Sequence, residues 1–129
     1  MSSRQLISSG SQWEPVIGYS RAVKVGNQIF ISGTTASSPD GAVGETAAEQ
    51  AREVLTRLSA VLESAGASLA DVVRTRMYLT SIADFDAVGA VHGEFFGEIR
   101  PASTAVEVGA LAAPDLKIEI EIDAVIAGV

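Results

Sequence analysis

The chain has 129 residues, no cysteine and a formal net charge of −7 at pH 7. Its length predicts one domain over residues 1–129, and the lack of cysteine excludes disulfides, thiol nucleophiles and cysteine-ligated metals. The acidic balance disfavours nucleic acid as a partner, while a hydrophobic fraction of 47% is high for a small monomer and favours an oligomer.

The N-terminal segment, residues 1–15, is polar. It has no apolar core of the kind found in signal peptides, and no later run approaches the roughly 20 apolar residues that cross a bilayer. A cytoplasmic protein without a membrane partner is therefore expected.

The next segment predicts a β-hairpin. Residues 19–25 alternate in polarity, Gly26-Asn27 is typical of a two-residue hairpin turn, and residues 29–32 form the second strand. The turn-forming residues 37–41 then predict an exposed loop before the first helix.

The first helix is predicted from Thr46 to Gly66. Thr46 and Glu49 have capping-box spacing, apolar residues recur at helical intervals, and Gly66 is placed as the stop. A strand follows at residues 72–79, where Val73, Thr75, Met77 and Leu79 are predicted to share one face.

A second helix and two strands complete the predicted elements. Residues 81–97 carry an N-terminal capping pattern and an apolar stripe, whereas residues 104–108 and 116–126 alternate as strands do. The order ββ-α-β-α-ββ predicts an α+β fold, with two helices on one face of a mixed sheet. The opposite face then meets water or another subunit, and the composition favours a subunit.

Three acids, Glu119, Glu121 and Asp123, share one face of the last predicted strand. A carboxylate set of this kind can supply a general base if one member lies in a pocket. Arg74 and Arg76 can instead pair with the acids across the sheet, and spacing alone favours this second interpretation.

Other polar residues are candidates for ligand contacts. Tyr19 and Arg21 share one face of the first strand and can together hold a carboxylate. Ser32-Gly33 ends the second strand, where glycine permits close approach and serine can donate a hydrogen bond. His92, the single histidine, lies in an apolar stripe, which favours packing over catalysis and makes a metal site unexpected.

The segment Arg100-Pro-Ala-Ser-Thr-Ala-Val-Glu-Val-Gly-Ala-Leu111, followed by Leu116-Lys-Ile-Glu-Ile-Glu121, resembles the signature of the Rid (reactive intermediate deaminase, YjgF-like) family, also labelled endoribonuclease L-PSP. Gly26–Gly33 and Asp71–Thr75 resemble further family segments, in the same order. The resemblance implies a chorismate-mutase-like fold and a homotrimer whose sheets form a central barrel, with small-molecule clefts between subunits. Members of the best-known branch of this family hydrolyse enamines and imines to keto acids and ammonia, using a bound water and no cofactor, while others are labelled endoribonucleases.

The resemblance also assigns roles by position. Tyr19, Ser32, Gly33 and Glu119 match pocket positions of the deaminase branch, in which the glutamate positions or activates the water. The predicted catalytic residues are therefore Glu119 and Tyr19.

The chain departs from the deaminase branch at Ser103, where that branch has an arginine that grips the substrate carboxylate. Gly89 stands where a polar pocket residue is common, and the loop after Phe96 is shorter. Arg21 or Arg100 can replace the missing cation, and Arg21 is favoured because we expect it to point the same way as Tyr19. The predicted substrate-binding residues are Arg21, Ser32, Gly33, Ser103, Gly89 and His92.

Three functions follow from these observations. The first is an arginine-deficient hydrolase of an imine, enamine or related C–N bond. The second is a non-catalytic trimer that binds a small molecule, for which the missing arginine is the support. The third is a ribonuclease, which the acidic charge and the absence of a basic stripe disfavour.

Overall fold

The computed structural model describes residues 4–127. Within this range the chain forms six strands and three α-helices, with short 3₁₀ turns at Leu69–Asp71 and Ile82–Asp84. In chain order they are β1 (Gln5–Ile7), α1 (Trp13–Ile17), β2 (Ala22–Val25), β3 (Gln28–Thr34), α2 (Ala47–Ser64), β4 (Val72–Leu79), α3 (Phe85–Phe96), β5 (Ala102–Glu107) and β6 (Ile118–Val125).

The strands form one mixed sheet in the order β1-β2-β3-β6-β4-β5. All neighbouring strands are antiparallel except β4 and β5, which are parallel and joined through α3. At the hairpin Val25 pairs with Gln28, so Gly26 and Asn27 form the predicted two-residue turn. Gly26 has φ +59°, a left-handed conformation that glycine adopts without a steric cost.

Both long helices lie on one face of the sheet, as the sequence predicts. Helix α2 packs on β3 and β6, and α3 packs beside α2. The Thr46–Glu49 capping box is present at the start of α2. The side chains that fill the space between α2 and the sheet are fully buried: Val54, Leu55, Leu58, Leu62, Ile118, Ile120 and Ile122.

A buried glutamine ties α2 to the loop before β6. The side-chain amide of Gln50 donates to the carbonyl oxygens of Gly44 (3.1 Å) and Asp115 (2.9 Å), and its oxygen accepts from the Lys117 amide (2.8 Å). These three bonds satisfy a side chain that is only 1% exposed. The loop that they hold forms part of the wall of the cleft described below.

The other face of the sheet is not covered within the described chain. Apolar side chains on this face are exposed, including Leu6 (61%), Phe30 (44%) and Val106 (42%). The acids of β6 share this face, where Glu119 pairs across the ladder with Tyr78. The prediction of one face covered by helices and one open face is confirmed for the single chain.

Three local expectations need correction. The chain before Tyr19, for which the sequence predicts no element, contains β1 and α1. Tyr19 and Arg21 precede β2 and do not lie on it, because the strand begins at Ala22. Val73 does not share a face with Thr75, because an irregularity between Val72 and Arg74 turns Val72 into the core and leaves Val73 46% exposed.

No helix within residues 4–127 is long and apolar enough to span a membrane.

Candidate functional site

The three acids of β6 have different environments. The Tyr78 hydroxyl donates to Glu121, and the Arg76 guanidinium lies 3.7 Å from Glu121 and 3.3 Å from Asp123. The interpretation of Arg76 as a cross-strand partner of the acids therefore holds for these two carboxylates. Glu119 is outside this network.

Glu119 is half-buried, and its carboxylate has no hydrogen bond or ion pair within residues 4–127. Burial raises the pKa of Glu119 above the usual glutamate value, and the negative charge of Glu121 adds to this, while Arg21 opposes it. A carboxylate of this kind can take up and release a proton closer to neutral pH than an exposed one.

Gly33 makes room for Glu119. A Cβ atom at position 33 would collide with the Glu119 carboxylate oxygen and would lie 2.9 Å from its Cδ and 3.2 Å from its Cγ. The backbone of Gly33 is not in a left-handed conformation. The glycine is therefore required by the close approach of the glutamate side chain and not by backbone conformation.

Arg21 is fixed on the same stretch of β3. Its Nη1 donates to the carbonyl oxygen of Gly33 (2.8 Å), with longer bonds to the carbonyl of Ser32 (3.3 Å) and the hydroxyl of Thr34 (3.1 Å). Its Cζ lies 5.7 Å from the centroid of the Tyr19 ring, which is within cation–π range. These contacts place a positive charge and a phenol near Glu119.

Tyr19, Arg21, Gly33 and Glu119 line one cleft of about 610 Å³. Its volume is within the usual range for small-molecule sites. Glu119 also borders a second cleft of about 460 Å³, on the side of Tyr78 and Glu121. The remaining wall of the larger cleft is mostly apolar or hydroxylic, and includes Trp13, Ala60, Val61, Ala113, Leu116 and Ser11.

Arg57 of α2 also lines this cleft, and the sequence analysis did not identify it. Its Nη1 donates to the carbonyl oxygens of Thr35 (2.8 Å) and Ser37 (2.9 Å), and its Nε donates to Glu53 (2.7 Å). The Glu53–Arg57 spacing is that of an ordinary surface pair along a helix. The contacts with the loop after β3 are visible only in the folded chain.

Ser32 lies beside the cleft and not in its wall. Its hydroxyl donates to the carbonyl of Ser20 at 2.6 Å, and it borders an adjoining pocket of about 450 Å³ that shares Tyr19 with the cleft. The Ser32 hydroxyl therefore fixes the chain that carries Tyr19 and Arg21.

Ser103 and His92 lie on the face of the sheet covered by helices, and Gly89 lies on α3 near them. The Thr75 hydroxyl donates to Ser103 (2.7 Å) and lies 2.9 Å from Nε2 of His92. Because a hydroxyl has one proton, Nε2 of His92 is then the donor to Thr75. Within one chain, none of these three predicted contacts lines the Glu119 cleft.

His92 has the environment of a packing residue. Its ring lies 4.7 Å from that of Phe96, centroid to centroid, and burial lowers its pKa below the usual histidine value. Within residues 4–127, no three His, Asp or Glu side chains form a group that could hold a metal ion.

Arg100 occupies the connection between α3 and β5. It has φ +55°, its amide donates to the carbonyl of Phe96 at 2.8 Å, and its side chain is exposed away from the cleft. Of the two candidate replacement cations, Arg21 is the one that lines the cleft with Glu119.

The comparisons with known proteins agree along nearly the whole chain. The model of the family described as Endoribonuclease L-PSP matches residues 10–126. A RutC family protein of Pyrococcus abyssi is 40% identical over 122 residues, which cover 92% of this chain and 94% of the relative. A 2-iminobutanoate/2-iminopropanoate deaminase of Salmonella typhimurium is 38% identical over 111 residues, which cover 83% of this chain and 86% of the relative.

Solved structures give the same result. A member of the YjgF/YER057c/UK114 family from Mycobacterium tuberculosis has a TM-score of 0.89 at 49% identity, and the match covers 96% of this chain and 100% of that one. The architecture is thus the chorismate-mutase-like α+β fold. The chain belongs to the Rid/YjgF family, as its signature segments predict.

Proposed function

We propose that this protein is a cytoplasmic, cofactor-independent hydrolase of small imines or enamines, and that it works as a homotrimer with ligand clefts between subunits. The carrying observation is Glu119, a half-buried carboxylate that has no hydrogen-bond or ion-pair partner among the described residues and lies in a cleft that also contains Arg21. Relatives from Salmonella typhimurium (38% identical) and Dermatophagoides farinae (33%) bear the name 2-iminobutanoate/2-iminopropanoate deaminase, which supports this reaction class.

The reaction requires one group that first accepts a proton as a base and then donates it as an acid. Water adds to the carbon of a protonated imine, the C=N electron pair moves to nitrogen, and the Glu119 carboxylate accepts the proton released from water. Glu119 then returns this proton to nitrogen. As the C–N bond breaks and ammonia leaves with the electron pair, an oxygen lone pair forms the carbonyl group, and the hydroxyl proton passes to the Glu119 carboxylate and from there to solvent. An enamine enters the same sequence after it takes up a proton on carbon.

Arg21 and Tyr19 are proposed to orient the substrate. Arg21 is the cation that replaces the arginine missing at Ser103, because it lines the cleft and has donor groups that no residue of the described chain engages. The Tyr19 ring lies over the Arg21 guanidinium with 5.7 Å between the ring centroid and Cζ, and Tyr19 lines the same cleft, where its hydroxyl is proposed to contact the substrate. Ser32 holds this segment in place.

The trimer is proposed because the site of one chain is incomplete. Ser103, Gly89 and His92 lie away from Glu119 in a single chain, so they can contact its ligand only from a neighbouring subunit. The open face of the sheet, with Phe30 exposed, offers apolar surface for such an assembly. Sedimentation velocity is expected to give three times the mass of one chain.

The test is a coupled assay with native protein. Imines generated in situ from serine by a dehydratase should release ammonia and keto acid faster than in a protein-free control. Glu119→Gln should remove the acceleration. Glu63→Gln should keep it, because Glu63 is exposed at the far end of α2. Equal rates in the native and Glu119→Gln proteins would contradict the proposal.

One observation favours a binding protein without turnover as the second candidate. Ser103, which stands in place of the usual arginine, is hydrogen-bonded to Thr75 and offers no cation. Saturable binding of a keto acid without any acceleration of imine hydrolysis would favour this candidate. Ribonuclease activity has no comparable support, since the chain has a net charge of −7.

A further inference from the structure

The cleft contains a second anchored cation, which is hydrogen-bonded to the same chain segment as the first. Arg21 is bonded to the carbonyl of Gly33, and Arg57 is bonded to the carbonyls of Thr35 and Ser37. The two guanidinium groups are therefore attached to one short segment, although they come from different parts of the fold.

This segment lies at the end of β3 and continues into the loop before α2. Gly33 belongs to the strand, next to the irregularity in its pairing between Ile31 and Thr34, and Thr35 directly follows the strand. Arg21 and Arg57 both line the cleft beside this segment.

Both arginines keep unused donors. The contacts of Arg57 engage Nε and Nη1, and those of Arg21 engage Nη1, so within residues 4–127 the Nη2 group of each has no hydrogen-bond acceptor. The Arg57 side chain is 31% exposed. Each guanidinium can therefore donate to a carboxylate without breaking its protein contacts.

The charges of the cleft point to an anionic ligand. Glu119 is the only acid in its wall among the described residues, against the two arginines. The chain as a whole carries a net charge of −7 and repels anions at long range. A ligand with two separated negative groups can pair with both guanidinium groups, whereas a monocarboxylate can pair with only one of them. The Nε of Arg57 is already paired with Glu53 at 2.7 Å, so a ligand would use the remaining donors of this guanidinium.

We infer that the cleft selects dicarboxylic imino acids, with the carboxylate next to the C=N carbon bound by Arg21 and a second carboxylate bound by Arg57. The inference rests on the proposed imine hydrolysis for its reaction and names the substrate class. The terminal carbons of a five-carbon dicarboxylate are about 5 Å apart, so its two carboxylates can contact different side chains of the cleft. Its methylene groups would pack on Val61 and Leu116, which are in the same wall.

Binding of the stable keto acids tests the inference without requiring turnover. The dissociation constants of 2-oxoglutarate and 2-oxobutanoate would be measured by calorimetry at fixed ionic strength. The native protein should bind the dicarboxylate at least about tenfold more tightly, which is the usual size of one charge-assisted contact. Arg57→Gln should reduce this ratio to about one, and Arg21→Gln should weaken both ligands.

Arg52→Gln is the matched control. Arg52 is on the same helix, pairs with Glu94 at 2.7 Å on the surface and does not line the cleft, so the tenfold ratio should persist. If Arg57→Gln does not fold, Arg57→Lys provides the test. Lysine keeps the positive charge but lacks the paired donors of a guanidinium group, so the ratio of the two dissociation constants should fall several-fold. An unchanged ratio in the folded Arg57 variant, or equal binding of both ligands by native protein, would overturn the inference.

Different outcomes would contradict the proposed imine hydrolysis and the preference for dicarboxylates. Accelerated hydrolysis of the three-carbon imine without any dicarboxylate preference would overturn this inference and leave the proposed function intact. A dicarboxylate preference without acceleration of either imine would remove the proposed hydrolysis and retain a two-arginine binding site.

Discussion

The carboxylate of Glu119 occupies the space that a side chain at position 33 would fill. The side-chain space beside Gly33 of β3 is therefore filled by the side chain of Glu119, which belongs to the neighbouring strand β6. A methyl group at Gly33 would push the carboxylate aside, and because the displaced atoms are the end of a flexible side chain, the sheet itself need not move.

Gly33→Ala should therefore impair function more than folding. We expect imine hydrolysis to fall roughly tenfold to a hundredfold, since a displacement of about 1 Å in a reacting group has effects of this size. The unfolding free energy should change by less than about 1 kcal/mol. Gly93→Ala is the control, because a Cβ there meets nothing within 4 Å. An active Gly33→Ala protein would show that Glu119 need not occupy its observed position.

Glu119 should make activity and stability depend on pH in opposite directions. Its folded-state pKa is raised, so the folded protein favours the neutral acid and loses stability as pH rises through that pKa. Activity should rise over the same range, because the proposed reaction uses the ionised carboxylate as its base. Glu119→Gln should therefore be more stable than the native protein at pH 7, and the difference should vanish below the ordinary glutamate value of 4.5. Urea unfolding at several pH values measures this, and a destabilised Glu119→Gln protein at pH 7 would contradict it.

His92 should contribute the opposite dependence. Burial lowers its folded-state pKa below 6.5, so the unfolded chain binds the proton first and stability is lost as pH falls below 6.5. Because the chain has a single histidine, His92→Gln isolates the effect. The native protein should lose unfolding free energy more steeply than the variant between pH 6.5 and 5. Parallel curves would mean that His92 titrates normally.

Thr75 should be required for stability through its hydroxyl. The residue is fully buried, and its Oγ1 joins His92 to Ser103. Thr75→Val keeps the shape but leaves both partners without this bond, which should cost about 1–3 kcal/mol in urea unfolding. Thr75→Ser should recover most of the loss. If Thr75→Val unfolds like the native protein, water must satisfy both partners.

The long elements could be predicted because their signals are local. Helix α2 has both a capping box and a continuous apolar stripe, and β6 alternates without interruption. The short elements could not, since β1 is held by its pairing with β2, and α1 by a buried glutamate, Glu14, that accepts from Ser9. The position of Val73 depends on a single irregularity in the ladder, which has no signal in the sequence.

The residues of the site likewise divide into those that could be identified from the sequence and those that could not. The resemblance to the family identified Tyr19, Gly33 and Glu119, which lie in one cleft. Arg57 was missed because its role depends on the loop after β3, which approaches α2 only in the folded chain. Ser103 lies away from Glu119 because β5 is the edge strand of the sheet and β4 separates it from β6.

The position of β6 has a consequence for synthesis. This strand follows every other described strand in the chain, yet it lies between β3 and β4 in the sheet. While the chain emerges from the ribosome, β3 and β4 can therefore form two separate pieces whose facing edges have no partner. Unpaired apolar edges invite aggregation. The strand that brings Glu119 to the cleft is thus also the one that joins the two halves of the nascent protein.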